Sequence, residues 1–187
     1  MPMEARSTQA GAALITVLLV LLVVELLGVA AAQIALMSER SARSNRDTEI
    51  AWQAAESALA DAELDMTTAR AHLFDGKNAA AFVVGCGTSG TFKGLCANAG
   101  TGKPAWLTVD FASTGATART IAYGDHTGRT FTAGSKGVQP AQAPRYIIEL
   151  LPDTSDTPGP TFVYRVTAMG FGPRKDIQAV LQMVYRI

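Results

Sequence analysis

The stretch "GAALITVLLVLLVVELLGVAAA" (residues 11–32) decides the fold of this 187-residue chain. From Ala12 to Ala32 the only polar side chains are those of Thr16 and Glu25. An α-helix rises about 1.5 Å per residue, so about 20 apolar residues cross the hydrocarbon core of a bilayer. The stretch therefore predicts a helix that either anchors the chain in a membrane or is removed as a secretory signal.

The helical pattern continues past the apolar stretch. Residues 51–74 read "AWQAAESALADAELDMTTARAHLF", with apolar side chains every three or four positions, as on one face of a helix. The predicted apolar stripe consists of Trp52, Ala55, Leu59, Ala62, Met66, Ala69 and Leu73. The charged side chains mostly fall off that stripe: Glu56, Asp61, Glu63, Asp65 and Arg70. Gly76 is a typical helix stop, so the sequence predicts one helix from about Ala12 to Phe74.

Cleavage as a secretory signal would cut this helix in two. Ala30–Ala32 offers a small-residue cleavage site, and Arg6 precedes the apolar run. Against cleavage, the run from Leu14 to Val29 has 16 residues and contains Glu25, whereas the apolar core of a signal peptide has about 7 to 15 residues. The uncleaved helix is favoured, and cleavage after Ala32 stays an alternative.

Two sequence signals predict opposite orientations of the helix in the membrane. Arg6 lies before the apolar run, while Arg40, Arg43 and Arg46 follow it, which by the positive-inside rule favours a cytoplasmic C-terminal part. Cys86 and Cys96 bracket a glycine-rich segment, where a disulfide that closes a loop of about ten residues stabilises the fold by about 2 to 3 kcal/mol. We predict that disulfide, which needs an oxidising compartment and so favours an exported C-terminal part.

Beyond Gly76 the sequence predicts a β-rich head. Glycine, threonine, serine and proline separate short β-like runs, and the first and last of these runs alternate apolar with polar side chains. Four runs are predicted as strands: "WLTVDF" (106–111), "RYIIELL" (145–151), "FVYRVTAM" (162–169) and "IQAVLQMVYRI" (177–187). The segment "GFGPRKD" (170–176) suits a hairpin between the last two. We predict an α+β fold in which a C-terminal antiparallel sheet packs on the amphipathic last third of the helix.

The composition and motifs give no sign of an enzyme, a cofactor site or a nucleic-acid surface. Sixteen basic and 16 acidic residues give a formal net charge of zero, and two histidines and two cysteines without paired spacing disfavour a zinc site. The segment "GCGTSG" (85–90) fits G-x-G-x-x-G, but the glycines and the proline that follow leave no helix to face a pyrophosphate. We therefore predict a protein without catalytic residues, metal or cofactor.

Five segments together resemble the PilX family of type IV pilus minor pilins. The first two are "GAALITVLLVLLVVELLGVA" (11–30) and "AWQAAESALADAE" (51–63). The later ones are "GLC" (94–96), "PRYIIELL" (144–151) and "YRVTAMGFGPRKDIQAVLQMVYR" (164–186). Each motif is loose by itself, but they occur in the family's order over most of the chain.

The resemblance implies a pilin that is held in the inner membrane and processed by prepilin peptidase. Residues 1–11 would be the leader, cut between Gly11 and Ala12, although Ala10 stands where pilin leaders often have Lys or Arg. Residues 12–32 would form the transmembrane and filament-core segment, residues 33–75 a periplasmic helical segment and residues 76–187 the head. The implied partners are other minor pilins, the major pilin, a tip adhesin and the inner-membrane assembly platform, with a final position in the pilus fibre or at its tip.

Two side chains of the apolar helix bear on assembly. Thr16 would be the fifth residue of the mature chain, where most pilins carry a Glu that neutralises the N-terminal amine of a neighbouring subunit. We therefore expect this chain to enter at the start of assembly, where no earlier subunit needs neutralising. Glu25 lies about 13 Å further along the helix at 1.5 Å per residue, so it is not a substitute for that Glu. Its predicted role is a polar contact with a neighbouring helix.

Three alternatives to a pilus subunit stay open on the sequence. A pseudopilin of a type II secretion system shares the same helix plan. A membrane-anchored periplasmic binding protein or enzyme would need polar residues that converge on a pocket. A soluble secreted protein would follow from cleavage after Ala32.

Overall fold

The computed structural model describes residues 12–134, 138–154 and 161–186. One long helix, α1 (Ala12–Leu64), is followed by a π-helical turn (Asp65–Ala69) and three short 3₁₀ turns (Ala71–Leu73, Gly90–Phe92 and Ala105–Leu107). The strands are β1 (Leu95–Cys96), β2 (Ile121–Ala122), β3 (Arg145–Pro152), β4 (Phe162–Phe171) and β5 (Gln178–Tyr185). The chain divides after Asn45 into two compact units, of which the second contains all five strands.

The predicted helix is confirmed, but its last turns are not α-helical. At the end of α1 the Arg70 N–H donates to the Asp65 carbonyl at 2.9 Å, which opens the last turn to a π-helical one. The hydroxyls of Thr67 and Thr68 donate to the carbonyls of Glu63 and Leu64, and such bonds from consecutive β-branched residues loosen a helix end.

The sheet has the order β1-β3-β4-β5, and β2 pairs with β3 beside β1. β3, β4 and β5 form antiparallel pairs, and the "GFGPRKD" segment connects the last two as predicted. β1 runs parallel to β3, with Leu95 opposite Ile148, so the sheet is mixed. The α+β prediction is thus confirmed, with one short parallel pair added to the predicted antiparallel sheet.

One face of the sheet, called the inner face, packs on the second half of α1 through small side chains. The buried helix residues are Ala51, Ala54, Ala55, Ala58, Asp61 and Ala62. This stripe is rotated from the predicted one, because Trp52 is 46% exposed and Ala69 is exposed. The close approach at Gly170 of β4 explains why the buried helix residues are mostly alanines. A Cβ atom added at Gly170 would lie 2.1 Å from the Ala51 carbonyl oxygen. The helix and the sheet approach so closely that larger residues do not fit between them.

The core on the inner face is mainly aliphatic, with an aromatic cluster at one end. Its buried apolar members are Ala58, Ala62, Met66, Phe74, Ala81, Phe82, Leu95, Ile121, Tyr146, Ile148, Leu150, Tyr164, Val166 and Ala168. Phe74 meets Tyr164 edge-on at 5.1 Å between ring centroids, and Phe82 stacks on Tyr164 at 5.8 Å. The predicted alternation in β5 is also confirmed, since Ala179 is buried and Leu181, Met183 and Tyr185 are half-buried.

The prediction of a strand at residues 106–111 is wrong. Residues Ala105–Leu107 form a 3₁₀ turn, and the Thr108 hydroxyl donates to the Ala105 carbonyl. The Asp110 carboxylate then accepts the Ala112 N–H at 2.9 Å, which bends the chain. The segment instead covers the opposite, outer face of the sheet, where Phe111 packs with Ile147.

Candidate functional site

The first part of α1 carries a continuous apolar surface. Every residue from Ala12 to Arg46 is exposed. The large apolar side chains between residues 12 and 37 are each more than half exposed: Leu14, Ile15, Val17, Leu18, Leu19, Val20, Leu21, Leu22, Val23, Val24, Leu26, Leu27, Val29, Ile34, Leu36 and Met37. We call this the apolar surface of α1. The helix is long and apolar enough to cross a membrane, and an apolar surface of this extent needs a membrane or other helices around it.

Gly11 of the predicted processing site lies outside the described residues. Cleavage between Gly11 and Ala12 stays a prediction.

Thr16 offers no charge to a neighbouring subunit. Its hydroxyl donates to the Ala13 carbonyl at 2.9 Å, so its proton is used within the helix. The side chain sits on the apolar surface of α1 beside Val17, Val20 and Leu21. A pilin Glu in this place would present a carboxylate, whereas Thr16 presents a methyl group and a satisfied hydroxyl.

Glu25 is an exposed carboxylate on the same apolar surface. It lies in a shallow groove on the helix with Leu22, Leu26, Val29 and Gln33. The residues three and four positions away are Leu21, Leu22, Gly28 and Val29, which offer no side-chain hydrogen bond. Once surrounded by lipid or apolar helices, the carboxylate needs a hydrogen-bond donor from outside its own helix. The predicted contact with a neighbouring helix stays a prediction.

In the head, Asp65 at the end of α1 is the centre of a buried polar cluster. It is fully buried, and its carboxylate accepts hydrogen bonds from the Arg70 guanidinium and, at 2.8 Å, from the Tyr146 hydroxyl of β3. Burial, and then the charge of Asp65, raises the pKa of Tyr146 far above its usual range. Tyr146 therefore stays protonated and donates to Asp65 at every physiological pH.

Arg70 links this cluster to the disulfide loop, which we define as residues 86–96. One guanidinium nitrogen donates to the carbonyls of Thr91 at 2.7 Å and Lys93 at 3.1 Å. Cys86 and Cys96 are joined by a disulfide, as the sequence predicts. The glycine-rich loop is thus held at its ends by a covalent bond and in its middle by an arginine that Asp65 neutralises.

Asp61, one helical turn earlier, holds a second loop, residues 122–129. Its carboxylate accepts the Gly124 N–H at 2.8 Å and the Thr127 hydroxyl at 2.6 Å, with the Arg129 guanidinium 3.7 Å away. Asp125 of the same loop binds the Lys93 ammonium at 2.8 Å, which connects this loop to the disulfide loop. Two helix carboxylates therefore fix much of the irregular part of the head.

The sequence pattern predicts that Asp61, Asp65 and Arg70 lie mostly off the apolar stripe, whereas all three are buried. A signal was present: Ala51, Ala54, Ala58, Asp61 and Asp65 follow one another at steps of three and four. The two aspartates thus continue the alanine face that packs on the sheet. A prediction that places every charged residue in solvent misses two buried aspartates of this kind.

The structure gives no sign of a metal or nucleotide site within the part of the chain that it describes. No three His, Cys, Asp or Glu side chains there come together in a way that could hold a metal ion. The "GCGTSG" segment leads into a three-residue 3₁₀ turn and β1, with no helix to face a phosphate.

Two protein-family models match this chain. The one described as "Type IV pilus assembly protein PilX C-term" matches residues 92–187, which is more than half of the chain. The one described as "PilX N-terminal" matches residues 10–60, including the apolar surface of α1 and the first alanines of the buried stripe. No curated protein and no solved structure matches.

Proposed function

This chain belongs to the PilX family of type IV pilus assembly proteins, and we propose that it is the minor pilin that acts at the start of pilus assembly, at or near the pilus tip. The observation that carries the proposal is the state of Thr16 on the apolar surface of α1. The hydroxyl is bound to the Ala13 carbonyl, and no charge is offered where a pilin would present Glu.

The physical argument concerns the contact between consecutive subunits. A carboxylate and an amine that meet in a low-dielectric helix bundle attract strongly, and removing one partner leaves the other charge buried and unpaired. A subunit with Thr16 cannot neutralise the N-terminal amine of a subunit that was added before it. It fits best where no earlier subunit exists, which is the first position of a filament.

The placement of the chain follows from the same proposal. Residues 1–11 are the leader, removed by prepilin peptidase between Gly11 and Ala12. Residues 12–32 stay in the inner membrane until they enter the filament core, and residues 33–75 and 76–187 lie in the periplasm. The disulfide between Cys86 and Cys96 supports this side of the membrane, since disulfides persist in oxidising compartments. The partners are other minor pilins, the major pilin, a tip adhesin and the assembly platform.

The first test is the N-terminal sequence and mass of the mature protein extracted from membranes. The proposal requires a chain that begins at Ala12. A chain that begins at Gln33 would identify a secreted soluble protein, and one that keeps Met1 would identify an ordinary membrane anchor. Either result would exclude the pilin mechanism.

The second test concerns the position in the filament. Thr16→Glu supplies the missing carboxylate, and Thr16→Gln supplies a side chain of the same shape without charge. With immunogold detection on sheared pili, we expect the Glu variant to spread along the filaments and the Gln variant to stay at the ends. If both variants keep the placement of the unmodified chain, the argument from Thr16 is wrong.

A further inference from the structure

His126 is a half-buried residue of the loop at residues 122–129, and one of its ring nitrogens has no partner. The Nε2 atom is buried and forms no hydrogen bond with the part of the chain that the structure describes. A neutral imidazole carries a proton on one nitrogen, whereas the protonated ring carries one on each. The protonated ring therefore has a positive charge and an Nε2–H group without an acceptor, and burial of such a group is unfavourable.

The charged groups near His126 are already paired with one another. Arg70 at the end of α1, which is bound to Asp65, opposes a positive charge on the ring. Lys93 of the disulfide loop, which is bound to Asp125 at 2.8 Å, acts in the same direction. The two carboxylates favour the charge but do not outweigh burial and the Arg70 guanidinium, so the pKa of His126 lies below its usual value. The closed loop thus favours the neutral ring.

The loop is attached to the rest of the head by bonds on both sides of His126. The Gly124 N–H and the Thr127 hydroxyl donate to the Asp61 carboxylate at 2.8 Å and 2.6 Å. The ion pair with Lys93 attaches the same short segment to the disulfide loop. Because these attachments directly flank the histidine, its ring and its backbone segment are fixed together.

We propose that His126 makes this loop a pH-sensitive latch: when the ring is protonated, residues 124–127 leave the end of α1 and the ring enters water. Water then solvates the charge and supplies the acceptor that the closed loop lacks. Opening breaks the two hydrogen bonds to Asp61 and the ion pair with Lys93. The latch is a property of the head and does not rest on the proposed function.

The disulfide loop is expected to stay attached when the latch opens. Its disulfide and its two hydrogen bonds from Arg70 involve no residue of the loop at 122–129. The Ile148 N–H of β3 also donates to the Gly94 carbonyl at 2.9 Å, which fixes the disulfide loop to the sheet. The opening is therefore local, and the sheet keeps its structure.

Proton linkage gives the size of the effect. In the open loop the ring is in water, where the pKa of a histidine is about 6.5. Because the pKa is lower in the closed loop, the closed loop is most stable above pH 6.5 and loses stability as the pH falls. Between pH 7.5 and pH 5.5 we expect the ratio of open to closed loop to rise about three- to tenfold.

Residue-resolved hydrogen exchange of the full chain in detergent micelles, measured by NMR at these two pH values, tests the latch. The Gly124 amide reports the loop, and the Ile148 amide reports the sheet with the disulfide loop attached. After correction for the intrinsic effect of pH on exchange, we expect the opening equilibrium at Gly124 to show the three- to tenfold rise. At both pH values Ile148 should stay more protected than Gly124. Equal protection of the two amides would mean that the loop opens only by global unfolding and would overturn the proposal.

Two variants identify the responsible group. His126→Gln keeps a neutral polar side chain at both pH values, so the opening equilibrium at Gly124 should change less than about twofold between them. His72→Gln is the matched control, because His72 is exposed, and it should keep the full rise. A full rise in His126→Gln would contradict the proposal.

A second measurement applies if His126→Gln leaves the loop open at pH 7.5. The ring carbon signals of His126 in the unmodified chain then give its titration midpoint, which should lie below pH 6.5 and coincide with the increase in exchange at Gly124. If the ring titrates without faster exchange at Gly124, the side chain reaches water by its own rotation and the loop is not a latch.

Discussion

The hydroxyl of Tyr146 in β3 donates a 2.8 Å hydrogen bond to the carboxylate of Asp65 at the end of α1, across 81 positions of sequence. Both residues are fully buried. Through Arg70 the same carboxylate holds the disulfide loop, while Asp61 holds the loop at residues 122–129. The end of α1 thus fixes two loops of the head through two buried carboxylates, and substitutions in the Asp65 cluster measure how much it contributes to the free energy of unfolding.

Tyr146→Phe removes one donor from the buried carboxylate and leaves Arg70 bound to it. A hydrogen bond to a charged group contributes about 1.5 to 3 kcal/mol, and we expect the free energy of unfolding to fall by that amount. Urea unfolding of the full chain in detergent micelles measures it. Tyr185→Phe is the control, since the Tyr185 hydroxyl bonds no described residue; an equal loss in both variants would contradict the role given to Tyr146.

Asp65→Asn leaves the Arg70 guanidinium buried without its counter-charge. Breaking a buried pair on one side costs about 3 to 5 kcal/mol, so we expect a larger loss of unfolding free energy than for Tyr146→Phe. Because Arg70 also holds the carbonyls of Thr91 and Lys93, hydrogen exchange in the disulfide loop should become faster.

Glu63→Gln is the matched control for this change, because Glu63 is an exposed acid on the same helix. A surface substitution of this kind changes stability by about 0.5 kcal/mol or less. If Asp65→Asn behaved like Glu63→Gln, the buried cluster would have no structural role.

Long periodic segments made much of this fold predictable. The apolar run from Ala12 to Ala32 predicts a helix, the β-like runs at residues 145–151, 162–169 and 177–187 predict strands, and Cys86 and Cys96 predict a disulfide; each of these predictions is confirmed. β1 and β2 were not predicted, because two residues carry no period and their pairing is set by β3.

The two errors have different physical causes. The alternation in "WLTVDF" predicts a strand, but the Asp110 carboxylate bonds the Ala112 N–H and turns the chain. Asp61 and Asp65 have the polarity of surface residues, and only their partners in the head reveal why they are buried. A local turn replaced the predicted strand in the first case, and tertiary hydrogen bonds buried polar residues in the second.

Gly170→Ala tests the close approach of helix and sheet. The added Cβ would lie 2.1 Å from the Ala51 carbonyl oxygen and 2.3 Å from the Ala55 nitrogen, both of which are backbone atoms that cannot rotate away. Overpacking costs about 1 to 3 kcal/mol or more, and we expect a lower midpoint in urea. At Gly134 the nearest atom to an added Cβ is 3.9 Å away, so Gly134→Ala should leave the midpoint unchanged.

Replacing both cysteines by serine removes the covalent closure of the disulfide loop. For a loop of about ten residues the chain-entropy model gives a loss of about 2 to 3 kcal/mol. We expect this decrease in unfolding free energy, measured under oxidising conditions, together with increased protease cleavage at Phe92, which is 49% exposed. The same unfolding energy with and without reductant in the unmodified chain would show that the disulfide contributes nothing.

His126, in the loop at residues 122–129, lies near both positively and negatively charged side chains. Its pKa is lowered, first by burial and then by the positive charge of Arg70, with a smaller contribution from Lys93. The negative charges of Asp65 and Asp125 oppose this effect without reversing it. The Nε2 atom is buried and has no hydrogen-bond partner among the described residues, so a proton there would lack an acceptor.

His126→Gln should therefore change how the stability depends on pH. The pKa of His126 is lower in the folded state than its value of about 6.5 in the unfolded chain. At pH values between these two pKa values, the unfolded chain therefore binds more protons than the folded chain. The unmodified chain should lose stability as the pH falls from 6.5 through the folded-state pKa, and His126→Gln should lack that part of the decrease. Urea midpoints measured from pH 7.5 to pH 5 give the comparison. His72 is the other histidine of the chain and is exposed, so His72→Gln should leave the dependence of the urea midpoint on pH unchanged. If His72→Gln removed the decrease at low pH instead, His126 would not be the responsible group.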